Sequence, residues 1–210
     1  MRPLSDFRYL VAPEVPGAAS IVIDNAVLRT CRDFCDKTHI WRYEHPAVAM
    51  VSGTSDYTLT PPAETEVAWV NSATQGTHDV SPVGRDIAKK LYPAGRTGSV
   101  ADSFYMLDSG TFRVLPTPTG NPQPITLDIA LRPIMAATTI GAILFDEWGE
   151  YIAHGALSRL LAMPGKNWSE PNTAAFHIQR YKLGIAEAKR RDNYGRASFN
   201  DTVQAGYSFI

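Results

Sequence analysis

The sequence predicts an α+β fold. In it an antiparallel α-helical bundle, made of a first helix and two C-terminal helices, carries an inserted antiparallel β-rich module and ends in an extended C-terminal tail. Three observations lead there. Apolar residues recur at three- and four-residue spacing before residue 38 and again after residue 139. Between those stretches the period falls to two, and turn sequences such as Ser52-Gly53 and Asp108-Ser109-Gly110 punctuate it. Residues 150–191 read as two helices around one short loop, which forces them side by side and antiparallel.

Residues 1–17 contain Pro3, Pro13 and Pro16 and are expected to run extended over a surface. From Ala18 to Lys37, Ile23, Val27, Cys31 and Phe34 form the apolar stripe of an amphipathic helix. Thr38 to Pro46 reads as a connector. Val48 and Met50, a turn at residues 52–55, then Tyr57 and Leu59 suggest strand, turn and strand. Further strands are expected at 66–71, 103–107, 111–115 and 125–131, with a short helix at 83–91 closed by Pro93. Pro116 to Pro124 is read as a hairpin tip, and the whole as one meandering sheet or flattened barrel.

One long helix is expected over Ile140–Met163, with Leu144, Trp148, Ile152 and Leu160 facing the first helix. Pro164 disfavours helical backbone at Met163, and Gly165 offers the left-handed closure. Ser169 is a candidate N-cap and Pro171 suits the first turn of the last helix. Trp168 is expected to pack beneath this reversal. The chain thus divides into an arm and first helix (1–46), a β module (47–138), the two closing helices (139–193) and a tail (194–210).

Composition bounds the function. Among 210 residues, 44% are hydrophobic and 20% charged, and the formal net charge is -1. A protein that grips nucleic acid carries a basic excess, so this balance argues against tight DNA binding but allows a surface past which DNA slides. No apolar run approaches the roughly 20 residues of a membrane span, and the N-terminus lacks the apolar core of a signal peptide. The only cysteines, Cys31 and Cys35, share the apolar face of the first helix and read as buried small side chains. No HExxH, GxSxG or Walker spacing occurs. His154 and His177 fall on adjacent helices and suit a packed or hydrogen-bonded pair.

Several motifs add a resemblance. Tyr151-Ile152-Ala153-x-Gly155-Ala156-Leu157-x-x-Leu160-Leu161, then Met163-Pro164-Gly165-Lys166-x-Trp168, then Gly184-Ile185-Ala186-x-Ala188, resemble the C-terminal helices of the head-to-tail adaptors of short-tailed bacteriophages, the connector or tail tubular protein A-like family. Upstream, Ala26-Val27-Leu28-Arg29, Asp33-Phe34-Cys35-Asp36-Lys37-Thr38 and Ile40-Trp41-Arg42 are similar to that family's first helix. These are packing signatures spread over most of the chain.

The resemblance implies a structural virion protein and no enzyme. It would be one of about twelve copies in a ring at the neck, bound to the portal protein above and a tail tube or nozzle protein below, with genome DNA passing through without tight binding. The residues themselves call for no cofactor and no metal, since no two of the five histidines stand three or four apart on one expected helix. The tail residues Phe199, Tyr207, Phe209 and Ile210 are too apolar for a mere polar end and are expected to order on the portal or a neighbour. Lys189, Arg190 and Arg191 suit a helix C-terminus on electrostatic grounds and are the candidate charged contacts beside that tail. Two other readings stay open: a small enzyme with its site where the sheet meets the bundle, and a binding module for DNA ends or carbohydrate.

Overall fold

The computed structural model describes residues 1–93 and 95–194. Its first residues correct the sequence reading. After a two-residue strand, β1 (Arg2–Pro3), the chain winds through a 3-10 turn at Leu4–Phe7, a short helix α1 (Arg8–Val11) and a second 3-10 turn at Ala12–Glu14. Leu4, Phe7, Val11 and Val15 follow helical spacing and are all buried. Pro3 and Pro13 sit ahead of or within the first turn of these helical pieces, where the missing N–H is not needed, so they punctuate helix rather than abolish it.

Helix α2 (Ser20–Thr38) buries Ile23, Ala26, Val27, Cys31, Phe34 and Cys35 on one face and closes on His39 at φ 53, an unusual left-handed residue for a non-glycine. The strands and one short helix then follow: β2 (Arg42–Val48), β3 (Asp56–Thr58), β4 (Thr65–Gln75), β5 (His78–Asp79), β6 (Ser81–Pro82), α3 (Arg85–Leu91), β7 (Thr97–Gly98), β8 (Ser103–Met106), β9 (Thr111–Leu115), β10 (Thr117–Pro118) and β11 (Ile125–Pro133). The connector expected at 38–46 is therefore largely strand. The pairing is not one meander. One sheet has the order β2-β11-β4-β5 and the other β3-β9-β8-β6, while β7 and β10 form a small parallel pair. β2 and β3 lie in different sheets, and residues 116–124 cross between sheets rather than capping a hairpin. The Leu115-Pro116 peptide is cis. Only the β8–β9 hairpin at Asp108-Ser109-Gly110 matches its turn signal directly, with the Asp108 carboxylate accepting from the Gly110 and Thr111 amides at 2.7 Å.

The chain returns through β12 (Thr139–Ile140), which pairs antiparallel with β1. Glu64 fastens this return. Its carboxylate accepts from the Thr139 and Thr138 hydroxyls and amides, at 2.6 to 3.2 Å, and these bonds hold its pKa down to about 2.

The expected single long helix is two, α4 (Ala142–Asp146) and α5 (Gly149–Leu161), broken at Glu147-Trp148. Glycine at 149 weakens helix continuity, and the break lets both Leu144 and Trp148 bury. Trp148 meets Phe34 of α2 at a ring separation of 5.7 Å. Helix α6 (Pro171–Tyr194) runs back along α5. The Ala174 amide donates to the Glu170 carbonyl, so Glu170 rather than Ser169 precedes the helix. The three main helices approach closely at glycine: a Cβ at Gly155 would collide with Thr30 of α2 and lie 2.7 Å from the Tyr181 ring of α6.

Two groups of buried residues result. One joins the N-terminal turns, α2, α4, α5 and α6; the other lies between the sheets, around Phe104, Phe112, Val114, Ile125 and Leu127. Trp41 packs against both.

Candidate interaction surfaces

Where helices meet sheet, arginines reach from one to the other. Arg32 of α2 pairs with Glu66 of β4 at 2.8 Å, and Arg132 of β11 bonds both Glu66 and Asp36 of α2 at 2.9 Å. Arg42, opening β2, joins Asp128 of β11 at 2.9 Å and Asp192 near the end of α6 at 2.8 Å. A cavity of about 640 Å³ lies beside this seam, lined by Trp41, Ile143, Glu147, Arg191 and Asp192 among others. Its two carboxylates are paired, Asp192 with Arg42 and Glu147 with Arg191 at 2.8 Å. A guanidinium on a carboxylate suits fastening better than proton transfer. Among the described residues no group of three or more His, Cys, Asp or Glu is placed to hold a metal ion.

The basic run divides. Lys189 and Arg190 are exposed on α6, whereas Arg191 turns inward onto Glu147 and lies over the Trp148 ring, 5.5 Å from its centroid. At the hairpin loop, Gly165 takes φ +69 with Pro164 exposed beside it. Trp168 is half-buried against the helical core, and its buried Nε1 has no hydrogen-bond partner among the described residues. Phe199, Tyr207, Phe209 and Ile210 lie outside the described residues.

His154 and His177 meet Nδ1 to Nδ1 at 2.7 Å, so one ring donates and the other accepts. Burial lowers the pKa of both, and for His154 the neighbouring His177 lowers it further. The thiols of Cys31 and Cys35 are buried, and burial pushes both well up, which leaves them as packing groups.

Sequence reasoning did not find a cleft between the two sheets. The segment from β5 to β6 bridges them: the Val80 amide donates to the Ala73 carbonyl of β4 at 2.8 Å, and the Ser81 amide to the Asp102 carbonyl beside β8 at 3.1 Å. Away from this bridge, β4 and β8 diverge around a cleft of about 370 Å³ lined by Val67, Val70, Val83, Phe104 and Met106, with Arg132 also on its wall. β5 pairs with Thr74 and Gln75 and Val80 reaches Ala73, so among the described residues Glu66 to Ser72 of β4 are paired on the β11 side alone. Two register shifts against β11 rephase β4, burying Val67 and Val70 while Trp69 stands 56% exposed and stacks on His39 at 5.3 Å. Simple alternation along 66–71 would place Trp69 on the same face as Val67, and residue type alone does not reveal the shifts that separate them.

A comparison with known families settles what kind of protein carries these surfaces. The family model described as SU10 adaptor protein matches residues 7–202. The chain belongs to the SU10 adaptor protein family. This is a family of phage head-to-tail adaptors, whose role is structural. The matched span takes in the buried N-terminal turns, both sheets and the helical hairpin of this SU10-type adaptor, so the family assignment covers both cores rather than one. No curated protein matches the chain. Among the described residues of the adaptor, no helix is long and apolar enough to cross a membrane.

Proposed function

We propose that this adaptor is the subunit of a ring, of about twelve copies, that joins the portal vertex to the tail and forms part of the DNA channel. The match of the phage adaptor family across residues 7–202 carries the reading. The two separate cores give it physical sense. Residues 1–41 and 139–194 are mainly helical, and the strands from β2 to β11 form a module inserted between them, so one subunit offers a helical body and a sheet body at two heights. Ring closure needs such unlike faces, because a cyclic assembly joins one surface to a different one on the next copy.

The portal is met by the helical unit, where Lys189 and Arg190 are exposed, and the tail residues Phe199, Tyr207, Phe209 and Ile210 dock on the portal or on a neighbouring copy. The β module meets the tail tube or nozzle protein. The ion pairs that occupy Arg2, Arg8, Arg32, Arg42, Arg113 and Arg132 are consistent with a bore of mixed charge through which DNA slides. The test is mixing the purified chain with portal rings of its own phage and imaging the product. A ring seated on the portal's tail-facing end supports the reading; a monomer left free in solution rejects it.

A further inference from the structure

The cleft between β4 and β8 has the features of a strand-addition site. Its wall supplies an unpaired strand edge from Glu66 to Ser72, whose backbone groups face outward without a ladder partner among the described residues. Its floor is apolar, from Val67, Val70, Phe104 and Met106. The partly exposed side chain of Val83 lies on the opposite wall. An extended segment would satisfy the edge through backbone hydrogen bonds and the floor through every second side chain.

One stretch of this chain has that pattern. Residues 203–209 read Val-Gln-Ala-Gly-Tyr-Ser-Phe, so Val203, Ala205, Tyr207 and Phe209 fall on one face of a strand and Gln204, Gly206 and Ser208 on the other. The segment carries no charged side chain, which suits an apolar floor. The described part of α6 ends beside β2, held there by the Arg42–Asp192 pair, while the free edge belongs to β4 on the other side of β11. Residues 195–202 can span up to roughly 27 Å when extended, a reach that would carry residues 203–209 clear of the end of α6.

We propose that the β4–β8 cleft of each subunit takes residues 203–209 of an adjacent copy as an added strand, with Tyr207 and Phe209 on the Val67–Met106 floor. This rests on the ring reading and assigns the tail to a neighbour rather than to the portal. Tail and cleft are unlike surfaces, so the contact is head-to-tail and propagates around a ring.

The experiment uses full-length chain assembled on portal rings from two equal pools. One is unlabelled and carries p-benzoylphenylalanine in place of Phe209; the other is ¹⁵N-labelled and unmodified. Photocrosslinked peptides are mapped by mass spectrometry, and the native mass of the same sample is recorded. The expected adducts join the light tail to heavy peptides containing residues 66–72 or 103–107. Val83→Glu in the labelled pool should cut their yield at least about tenfold, the equivalent of 1.4 kcal/mol of binding, with the melting temperature unchanged. A ring whose adducts lie on the portal, elsewhere on the subunit, or within the light chain alone overturns the contact and leaves the ring reading standing. A chain that stays monomeric with portal present overturns both.

Discussion

Arg42 and Asp192 are 150 residues apart in sequence and 2.8 Å apart in space, so the end of the last helix is pinned to the first residue of the first long strand. This fixes where the C-terminal segment leaves the folded body. Arg42 is nearly half exposed and has a second carboxylate partner in Asp128 at 2.9 Å, which the loss of Asp192 would leave in place. Asp192→Ala should therefore lower stability in urea by no more than about 1 kcal/mol. Its larger effect is expected on attachment to portal rings, read by sedimentation. A loss of several kcal/mol would show that the seam holds the fold rather than directing the tail.

The second prediction concerns helix spacing. Gly155 lets Thr30 and Tyr181 approach α5 more closely than any side chain allows. Gly155→Ala gains helix propensity, yet it forces α2 and α6 outward and should destabilise by about 1–3 kcal/mol. Thermal melting decides it, and an unchanged or higher midpoint would mean the helices re-seat at no cost.

Much of the helical part was legible in the sequence, because the positions that pack are those at helical spacing. Ile23, Val27, Cys31 and Phe34 in α2, and Leu144, Trp148, Ile152 and Leu160 across α4 and α5, are buried as their spacing requires. What failed was local. Proline content hid the N-terminal turns that bury Phe7 and Val11, and apolar residues that keep helical spacing from Leu144 through Trp148 to Ile152 hid the break at Trp148. The β part was legible as strands but not as sheets. Pairing of β11 with both β2 and β4 is a long-range choice, and the register shifts that expose Trp69 leave no mark on residue type. Of the expected surface residues, Arg191 is engaged within its own subunit, which charge counting along a helix does not reveal.

Trp168 gives a third prediction. A fully buried tryptophan costs roughly 3–5 kcal/mol on truncation to alanine, but Trp168 is half-buried and its indole N–H is unsatisfied. Trp168→Ala should cost about 2 kcal/mol, and Trp168→Phe, which removes the unpaired N–H, distinctly less. Chemical denaturation of the two variants separates them. Equal losses would place the stability in the N–H rather than in packing.

The fourth prediction is a pH dependence at the α5–α6 contact. The folded pKa values of His154 and His177 both lie below the ordinary 6.5, so between those values and 6.5 the unfolded chain binds more protons than the fold. Stability from this pair is present above 6.5 and is lost as pH falls through the lowered values. Glu14 and Glu150 favour protonation at this site and Arg180 opposes it, so the pair does not titrate in isolation. The melting temperature should drop between about pH 7 and about pH 5, and His154→Gln should shrink that drop. An identical drop in the variant would assign the dependence to other groups.

The most direct test of the central claim is the mass of the particle formed when the full-length adaptor and the same chain lacking residues 196–210 are each mixed with portal rings. The account predicts that both melt alike as free chains, that the full-length chain adds a closed ring of about twelve copies to the portal, and that the truncated chain adds none. Equal ring formation by the truncated chain would contradict the role given to the tail. A full-length chain that stays monomeric beside the portal would contradict the account as a whole.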